Sequence, residues 1–565
     1  MMRRSLRRSL RCATAVVAAV AVVASCAVIP TSGPIGTGEV ELTEPASAIP
    51  LADDPEPDAE PEAIVRGFLD AGAAGLYDEF TVARKFLTGP ASARWSPRSR
   101  VLVYSDDGGG IQTELRGDDS VMVTVPVEAT VDASGSYVEA VPGSREELVF
   151  DLVRDAGGQW RISRLDDGVL MLPAVFGAVY RRTPLYFATP DQSQLVPDVR
   201  WFPTRSTATY AVSELLAGPA PWLRDAVVSG APEDAALSTA AVAVTDGVAS
   251  VDLRADTRVA DADRDLLQSQ LETTLGRVPA TEVVVTVAGL AWEHESLPAL
   301  DRDVAPERGP YVLSEGRLAV VERGEVVPLE DAPALTGLDA NSPAVSLDDS
   351  VRVVLDGDDR LMLLPTDGSA PVELLEGEEL LPPSVDRFGW VWTGEQESTA
   401  SLTAVAPTGE DVVVGAEWLE GREVRSIRVS RDGVRIAVVS VGGGERGTTV
   451  DVASVVRDED GTPRLVGERT PVGAVLTDAW EVAWVDEATV AVLGTSASAV
   501  DPTVHTVPLG GPTTTLSLVD ETVGIASGRG DRALYVAVAD GALYSRQNVS
   551  WVRVATDVSD PVFPG

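Results

Sequence analysis

Cysteine, histidine and lysine are almost missing from this chain. It has two cysteines, two histidines and one lysine, Lys85, in 565 residues. Cys12 lies inside an apolar leader and Cys26 directly behind it. The body beyond residue 26 therefore has no disulfide and no thiol site, and must be held by its cores. A metal site built on His and Cys is excluded by supply. His294 and His505 fall in different segments, so no His-based triad is expected to converge; each reads as a surface or capping residue. No G-x-S-x-G elbow is present. Positive charge is short as well. The formal net charge is −42, which repels phosphate backbones and argues against a nucleic-acid partner. The scarcity of lysine beside abundant arginine reads as the coding bias of a GC-rich genome. A long apolar run is also missing. The stretch Cys12 to Ala24 would span roughly 20 Å as a helix, short of the roughly 30 Å hydrocarbon core.

That stretch is still informative. Five arginines precede it (Arg3, Arg4, Arg7, Arg8, Arg11), and small residues and a turn-rich segment, Ile29-Pro30-Thr31-Ser32-Gly33-Pro34, follow it. A basic start, a short apolar run and a small-residue break make a secretory signal peptide. Arg7-Arg8-Ser9-Leu10 also fits a twin-arginine export signal. Val23-Ala24-Ser25-Cys26 resembles the lipobox of bacterial lipoproteins; Ser25 departs from the usual Gly or Ala but is small. The resemblance implies cleavage between Ser25 and Cys26. It further implies an S-diacylglyceryl and N-acyl (palmitate-type) Cys26 as the mature N-terminus. One acyl chain holds a protein only marginally at about 0.8 kcal/mol per methylene, so two or more matter. Loss of the leader arginines would leave the mature chain more negative still.

The length prior suggests three or four domains. Apolar residues make up 44 % of the chain, enough for sizeable cores. The expected divisions are 1–25 signal peptide, 26–60 acidic and Pro-rich tether, 61–180 an α+β domain with a cone-like curved sheet, 181–300 a second α+β domain, and 301–565 a β-propeller. The tether, with Asp53-Asp54-Pro55-Glu56-Pro57-Asp58, has too little apolar area to fold. As a flexible chain it spans on the order of 30 Å. Ile64, Val65, Phe68 and Leu69 recur at helical spacing behind Pro61, and a short helix is expected from Thr81 to Leu87. The period then changes to two at Val121–Val125, Leu148–Val153 and Trp160–Ile162, with turns such as Asp132-Ala133-Ser134-Gly135 between. This first domain loosely resembles nuclear-transport-factor-like cones.

The next segment carries Leu185-Tyr186-Phe187, then Leu195-Val196-Pro197-Asp198-Val199-Arg200. A helix with Ala208, Ala211, Val212, Leu215 and Leu216 on one stripe follows and stops at Gly218-Pro219. Strands at Ala241–Val244 and Val248–Leu253 flank the hairpin signal Asp246-Gly247. A second helix carries Leu267, Leu271 and Leu275 and stops at Gly276; a strand at Val283–Val287 follows. This order, with Gln270-Leu271 and Thr274-Leu275, resembles the GerMN domain of sporulation and germination proteins. The resemblance implies an extracytoplasmic α+β binding module without known catalytic residues.

Beyond Tyr311 a unit repeats: a small or polar entry, an Asp turn, a buried strand and a further strand. Ser346-Leu347-Asp348-Asp349, Ser384-Val385-Asp386, Ser430-Arg431-Asp432-Gly433 and Trp484-Val485-Asp486 mark four copies. A fifth runs from Ile525 to Val538 with Leu543-Tyr544, and Leu318–Val321 adds another strand. Spacings of about 40 to 55 residues fit propeller blades, five to seven of them with six preferred. Ser430-Arg431-Asp432-Gly433 resembles periplasmic propellers of the TolB kind. The whole order resembles the LpqB lipoproteins of actinobacteria. That resemblance implies a lipid-anchored, non-enzymatic protein on the outer face of the cell membrane. It also implies a sensor histidine kinase ectodomain as partner, in a two-component system of cell-wall and division control. Alternatives are a cell-wall-binding or assembly scaffold and, from another class, a propeller glycan hydrolase or lyase. A pocket with a perturbed carboxylate pair would favour the enzyme, a flat or polar channel binding.

Other motifs reduce to turn chemistry. Asp356-Gly357-Asp358-Asp359 offers hard oxygens for calcium but matches no complete loop and reads as a hairpin. Gly442, Gly444 and Gly447 satisfy G-x-G-x-x-G without a following helix. Arg529-Gly530-Asp531 reads as a tight turn. Trp390, Trp392, Trp484 and Trp551 read mainly as blade packing, a minority as liners of a carbohydrate groove. No catalytic, cofactor or metal residues are assigned.

Overall fold

The computed structural model describes residues 52–565 apart from 107–108, 255–260, 279, 292–296, 298, 398–399 and 443–446. The leader, Ser25, Cys26 and His294 lie outside the described residues. No helix among the described residues is long and apolar enough to cross a membrane. Residues 52–60 have no regular secondary structure and lie along the first folded segment, where Asp54 meets Lys85 at 2.6 Å.

That segment opens with helix α1 (Pro61–Ala74), which starts on a proline because the first turn needs no N–H. Ile64, Val65, Phe68 and Leu69 form its buried stripe. Short helices α2 (Thr81–Lys85) and α3 (Gly89–Arg94) follow; α3 was not foreseen in the sequence. The strands are β1 (Arg100–Tyr104), β2 (Gln112–Arg116), β3 (Ser120–Asp132), β4 (Tyr137–Glu139), β5 (Arg145–Arg154), β6 (Trp160–Arg164) and β7 (Val169–Met171). The long strand β3 is the spine: its first half pairs with β2 and β5, its second half with β1 and β4. Helix α1 lies on the sheet, with Phe68 edge-on to Trp95 and Phe150. Helix α4 (Pro173–Val179) leads out.

The second segment begins with the nine-residue hairpin β8 (Tyr180–Ala188) and β9 (Leu195–Pro203). Helix α5 (Thr207–Ala217) ends at Gly218, whose φ of +97° only glycine takes without strain. Strands β10 (Ala243–Thr245) and β11 (Val248–Leu253) turn at Asp246-Gly247 with both φ values positive, as a two-residue hairpin turn demands. Helix α6 (Asp261–Leu275) crosses over to β12 (Glu282–Val287), which lies parallel to β11, and β13 (Leu290–Ala291) turns back. The sequence motifs are the joints of this unit. Gln270 donates to the Tyr186 carbonyl at 3.0 Å, and the Thr274 hydroxyl accepts from the Tyr186 N–H at 3.1 Å. Asp198 pairs with Arg200 through both oxygens and also accepts the Ala220 N–H.

Among the described residues the third segment forms six four-stranded antiparallel blades, blades 3 and 4 being joined at their outer strands by one parallel pair, Gly415 with Leu465. Blade 1 holds β14 (Tyr311–Ser314), β15 (Arg317–Glu322) and β16 (Glu325–Pro328). Blade 2 is β17 (Ala340–Val345), β18 (Arg352–Asp356), β19 (Arg360–Leu363) and β20 (Val372–Glu376). Blade 3 is β21 (Ser384–Val385), β22 (Val391–Thr393), β23 (Ser401–Val405) and β24 (Asp411–Gly415). Blade 4 is β25 (Glu423–Val429), β26 (Arg435–Val441), β27 (Thr448–Arg457) and β28 (Pro463–Val472). Blade 5 is β29 (Leu476–Asp486), β30 (Thr489–Ser496), β31 (Ala499–Pro508) and β32 (Thr514–Thr515). Blade 6 is β33 (Thr522–Ser527), β34 (Leu534–Val538), β35 (Leu543–Gln547) and β36 (Ser550–Ala555). The fourth strand of blade 1 is β37 (Ser559–Val562), paired with β14. The innermost strands β37, β17, β21, β25, β29 and β33 neighbour one another in a closed ring. The chain is thus multidomain: two α+β segments, then an all-β propeller.

Candidate binding funnel on the propeller axis

Antiparallel connectivity gives the propeller two different faces. Loops from first to second strand and from third to fourth strand share one face; the remaining loops share the other. The repeated Asp turns belong to the first face. Asp386 accepts the Phe388 and Trp390 N–H groups and the Trp392 indole N–H at 2.8 Å, and meets Arg457. Asp432 accepts the Val434 N–H and pairs with Arg435, and Asp486 accepts the Ala488 N–H. Regularity in the sequence therefore reports a turn, repeated blade by blade.

The second segment sits on this face. Tyr186 donates to Glu487 at 2.6 Å, Arg182 donates to the Ala488 and Leu509 carbonyls, and Arg387 pairs with Asp191. Burial raises the Glu487 carboxyl above its ordinary range. Val434, from a blade 4 loop, is part of the second segment's own core. Trp201 joins all three segments. Its backbone N–H donates to Gly135, its indole N–H donates to the Gly510 carbonyl at 2.7 Å, and its ring packs on Tyr137 and Phe176.

The axial channel is closed at this face. Blades 1 and 4 are opposite in a ring of six, so a bond between them crosses the axis. Arg431, after β25 of blade 4, donates to the Pro564 carbonyl beyond β37 at 3.4 Å and to the Ser527 carbonyl of blade 6 at 2.7 Å. Gly565 donates to Val345 of blade 2. Burial pulls the Arg431 guanidinium down to about 10.

Toward the other face the channel widens into a funnel of about 450 Å³, within the usual range for small-ligand sites. Its charged groups are Arg425, Arg428, Glu481 and Asp560. Arg425 is committed to Asp478 at 2.8 Å. Arg428 stands 3.6 Å from Glu481. Burial pushes the Glu481 carboxyl up to about 7, against Arg428 and the Ile525 N–H that it accepts. Asp560 lies two blades round the ring and accepts the Ser342 N–H. Trp480 lies beside them, 36 % exposed.

None of these liners was singled out in the sequence, although a signal existed. Arg425 and Arg428 precede the turn Ser430-Arg431-Asp432, as Trp480 and Glu481 precede Trp484-Val485-Asp486. Counting back from each Asp turn leads onto the innermost strands.

The residues that were singled out do not converge. His505 is fully buried on β31, where burial lowers its pKa; its ring nitrogens meet the Thr503 carbonyl and the Ser496 hydroxyl. Asp356-Gly357-Asp358-Asp359 is the β18–β19 hairpin, and Asp356 is taken by Arg360 and the Asp339 N–H. Among the described residues no cluster of His, Cys, Asp and Glu has the makings of a metal site. Gly442 and Gly447 flank the β26–β27 connection, Gly444 lies outside the described residues, and both neighbours are strands. Arg529-Gly530-Asp531 joins β33 to β34, and Arg529 pairs with Asp303. Trp392 and Trp484 are blade core, Trp390 packs against that core, and Trp551 donates to Ser517.

Three family profiles match the chain in order. Residues 54–177 match the N-terminal domain of lipoprotein LpqB, 184–291 match the sporulation and spore germination (Germane) family, and 316–564 match the LpqB beta-propeller domain. Among curated relatives, Lipoprotein LpqB of Streptomyces coelicolor is 29 % identical, covering 99 % of this chain and 98 % of its own. That of Thermobifida fusca is 28 % identical over 96 % of each chain. That of Bifidobacterium longum is 27 % identical over 81 % of each.

Proposed function

We propose a function that proceeds from the chain's family: it belongs to the LpqB lipoproteins. The chain is exported, cut between Ser25 and Cys26, and held on the outer face of the cell membrane by the acylated Cys26. There it acts without catalysis, binding a membrane sensor histidine kinase and modulating its signalling in cell-wall and division control. One observation carries the reading: three segments are locked into one body at Trp201 and Glu487. A rigid body on a membrane anchor presents one fixed surface at raised local concentration. It biases a kinase when its affinity for the two signalling states differs.

The test is recovery of the full chain from cross-linked membranes, with Cys26→Ala as control. Lys85 is the single lysine, so a carboxylate-directed or photoreactive cross-linker is required. Enrichment of a sensor kinase that is lost with Cys26→Ala is the expected result. Wall polymer or wall enzymes alone would replace the kinase by the scaffold reading. An unchanged partner set for Cys26→Ala would remove the anchor from the mechanism.

A further inference from the structure

Five of the six innermost strands break their pairing at the level of the funnel. On β25 the register slips between Val424 and Ser426, leaving Arg425 unpaired. On β29 one of three slips lies between Ala479 and Glu481, leaving Trp480, the other two falling nearer the strand ends, and on β33 the slip lies between Thr522 and Gly524, leaving Val523. On β17 the slip releases Ser342 and Pro343, and on β37 it releases Asp560 and Pro561. Every one of these released residues lines the funnel.

A bulge adds a residue, bends the strand and re-aims side chains. In a regular strand neighbours point to opposite faces. Trp480 and Glu481 are neighbours, yet both line the cavity. Ser342 and Asp560 have φ of +47° and +49°, a left-handed conformation that is strained for a non-glycine residue. The two strained residues are tied together, the Ser342 N–H donating to the Asp560 carboxylate at 3.3 Å. Lost ladder bonds recur at one level on five blades, and strained φ values on two of them.

The lining has spare hydrogen-bonding capacity. Arg428 donates from one terminal nitrogen to the Ile427 and Pro383 carbonyls, and its other terminal nitrogen stands beyond hydrogen-bond distance from Glu481. One Glu481 oxygen accepts the Ile525 N–H and the other faces Arg428. Donors and an acceptor thus sit beside the partly exposed indole of Trp480. An apolar ligand would leave Arg428 and Glu481 unmatched. A polyanion would meet a chain of net charge −42 and two arginines, one already held by Asp478. A saccharide fits all three features. Each hydroxyl both donates and accepts, the ring's C–H face lies on an aromatic surface, and it brings no charge.

We propose that the funnel binds the end of a glycan, with Trp480 as the stacking platform and Arg428 and Glu481 as the pair that reads its hydroxyls. The test is calorimetric titration of the detergent-solubilised full chain with three probes: chitotriose, mannotriose and the zwitterionic dipeptide Ala-Ala. Saturable one-site binding of a triose is expected. Trp480→Ala should weaken it at least tenfold, Trp480→Phe should keep most of it, and Trp551→Phe, remote from the funnel, should leave it unchanged. Matching melting temperatures exclude misfolding as the cause. No triose binding, preference for the dipeptide, or equal affinity in Trp480→Ala would overturn the proposal. The bound triose is expected to stay intact, with no new reducing ends. Binding is read here without a kinase, so this test and the membrane cross-linking fail independently.

Discussion

The propeller's two faces are made of different material. The face under the second segment is cross-linked by buried charge: Asp386 with Arg457, Asp432 with Arg435, and Arg431 spanning the axis. The opposite face has bulges, two strained residues and exposed apolar side chains, with Val523 61 % and Val500 81 % exposed. One face is spent on joining segments; the other keeps unmatched groups in the open. The same six-fold scaffold thus serves as a joint and as a receptor, and bulges rather than new strands make the difference.

Breaking the joint should cost most. Asp386→Ala leaves Arg457 and the Trp392 indole N–H without their partner. Removing one member of a buried pair costs about 3–5 kcal/mol, and urea unfolding of the full chain should show that loss. Trp201→Ala removes the contact shared by all three segments and should cost about 3 kcal/mol. It should also split a single thermal transition into two, which calorimetry would detect. The funnel is probed by pH. Glu481 keeps a proton up to about 7 in the fold but would lose it near 4.3 unfolded. The folded state therefore binds more protons between these values, and this group takes stability away as pH rises through that window, with no further loss above it. Glu481→Gln should abolish that part of the slope, so its unfolding midpoint should gain on the wild type between pH 4.5 and 7.5. Arg425→Ala should do least. Its bridges to Asp478 and Glu423 are partly exposed, and such pairs contribute about 1 kcal/mol or less.

Local chemistry was legible in the sequence. Strands such as β11 follow alternation, α1 begins at its proline, and Gly218 and Asp246-Gly247 stand where chain reversals need positive φ. The Asp turns gave the blade spacing, because a turn is fixed by residues two to four positions apart. The funnel was hidden for the opposite reason. A bulge at Trp480 leaves no trace in alternation, since it moves a residue from one face to another without changing its type. His505 was misleading in a similar way: a polar residue on a strand reads as exposed, and only tertiary packing places Ser496 and Thr503 around it.

Blade 1 also went unrecognised as a complete unit, because its innermost strand comes from residues 559–562 and the other three from 311–328. Tyr311 pairs with Val562 and Leu313 with Ser559. That seam makes closure of the ring depend on its last strand. A message that stops upstream of Ser559 yields five blades and an open edge on β14, with bare N–H and C=O groups of the kind that recruit aggregation and proteases. It also lacks the Pro564 carbonyl that anchors Arg431. Truncated products are therefore expected to be cleared rather than to compete with the finished protein at the membrane.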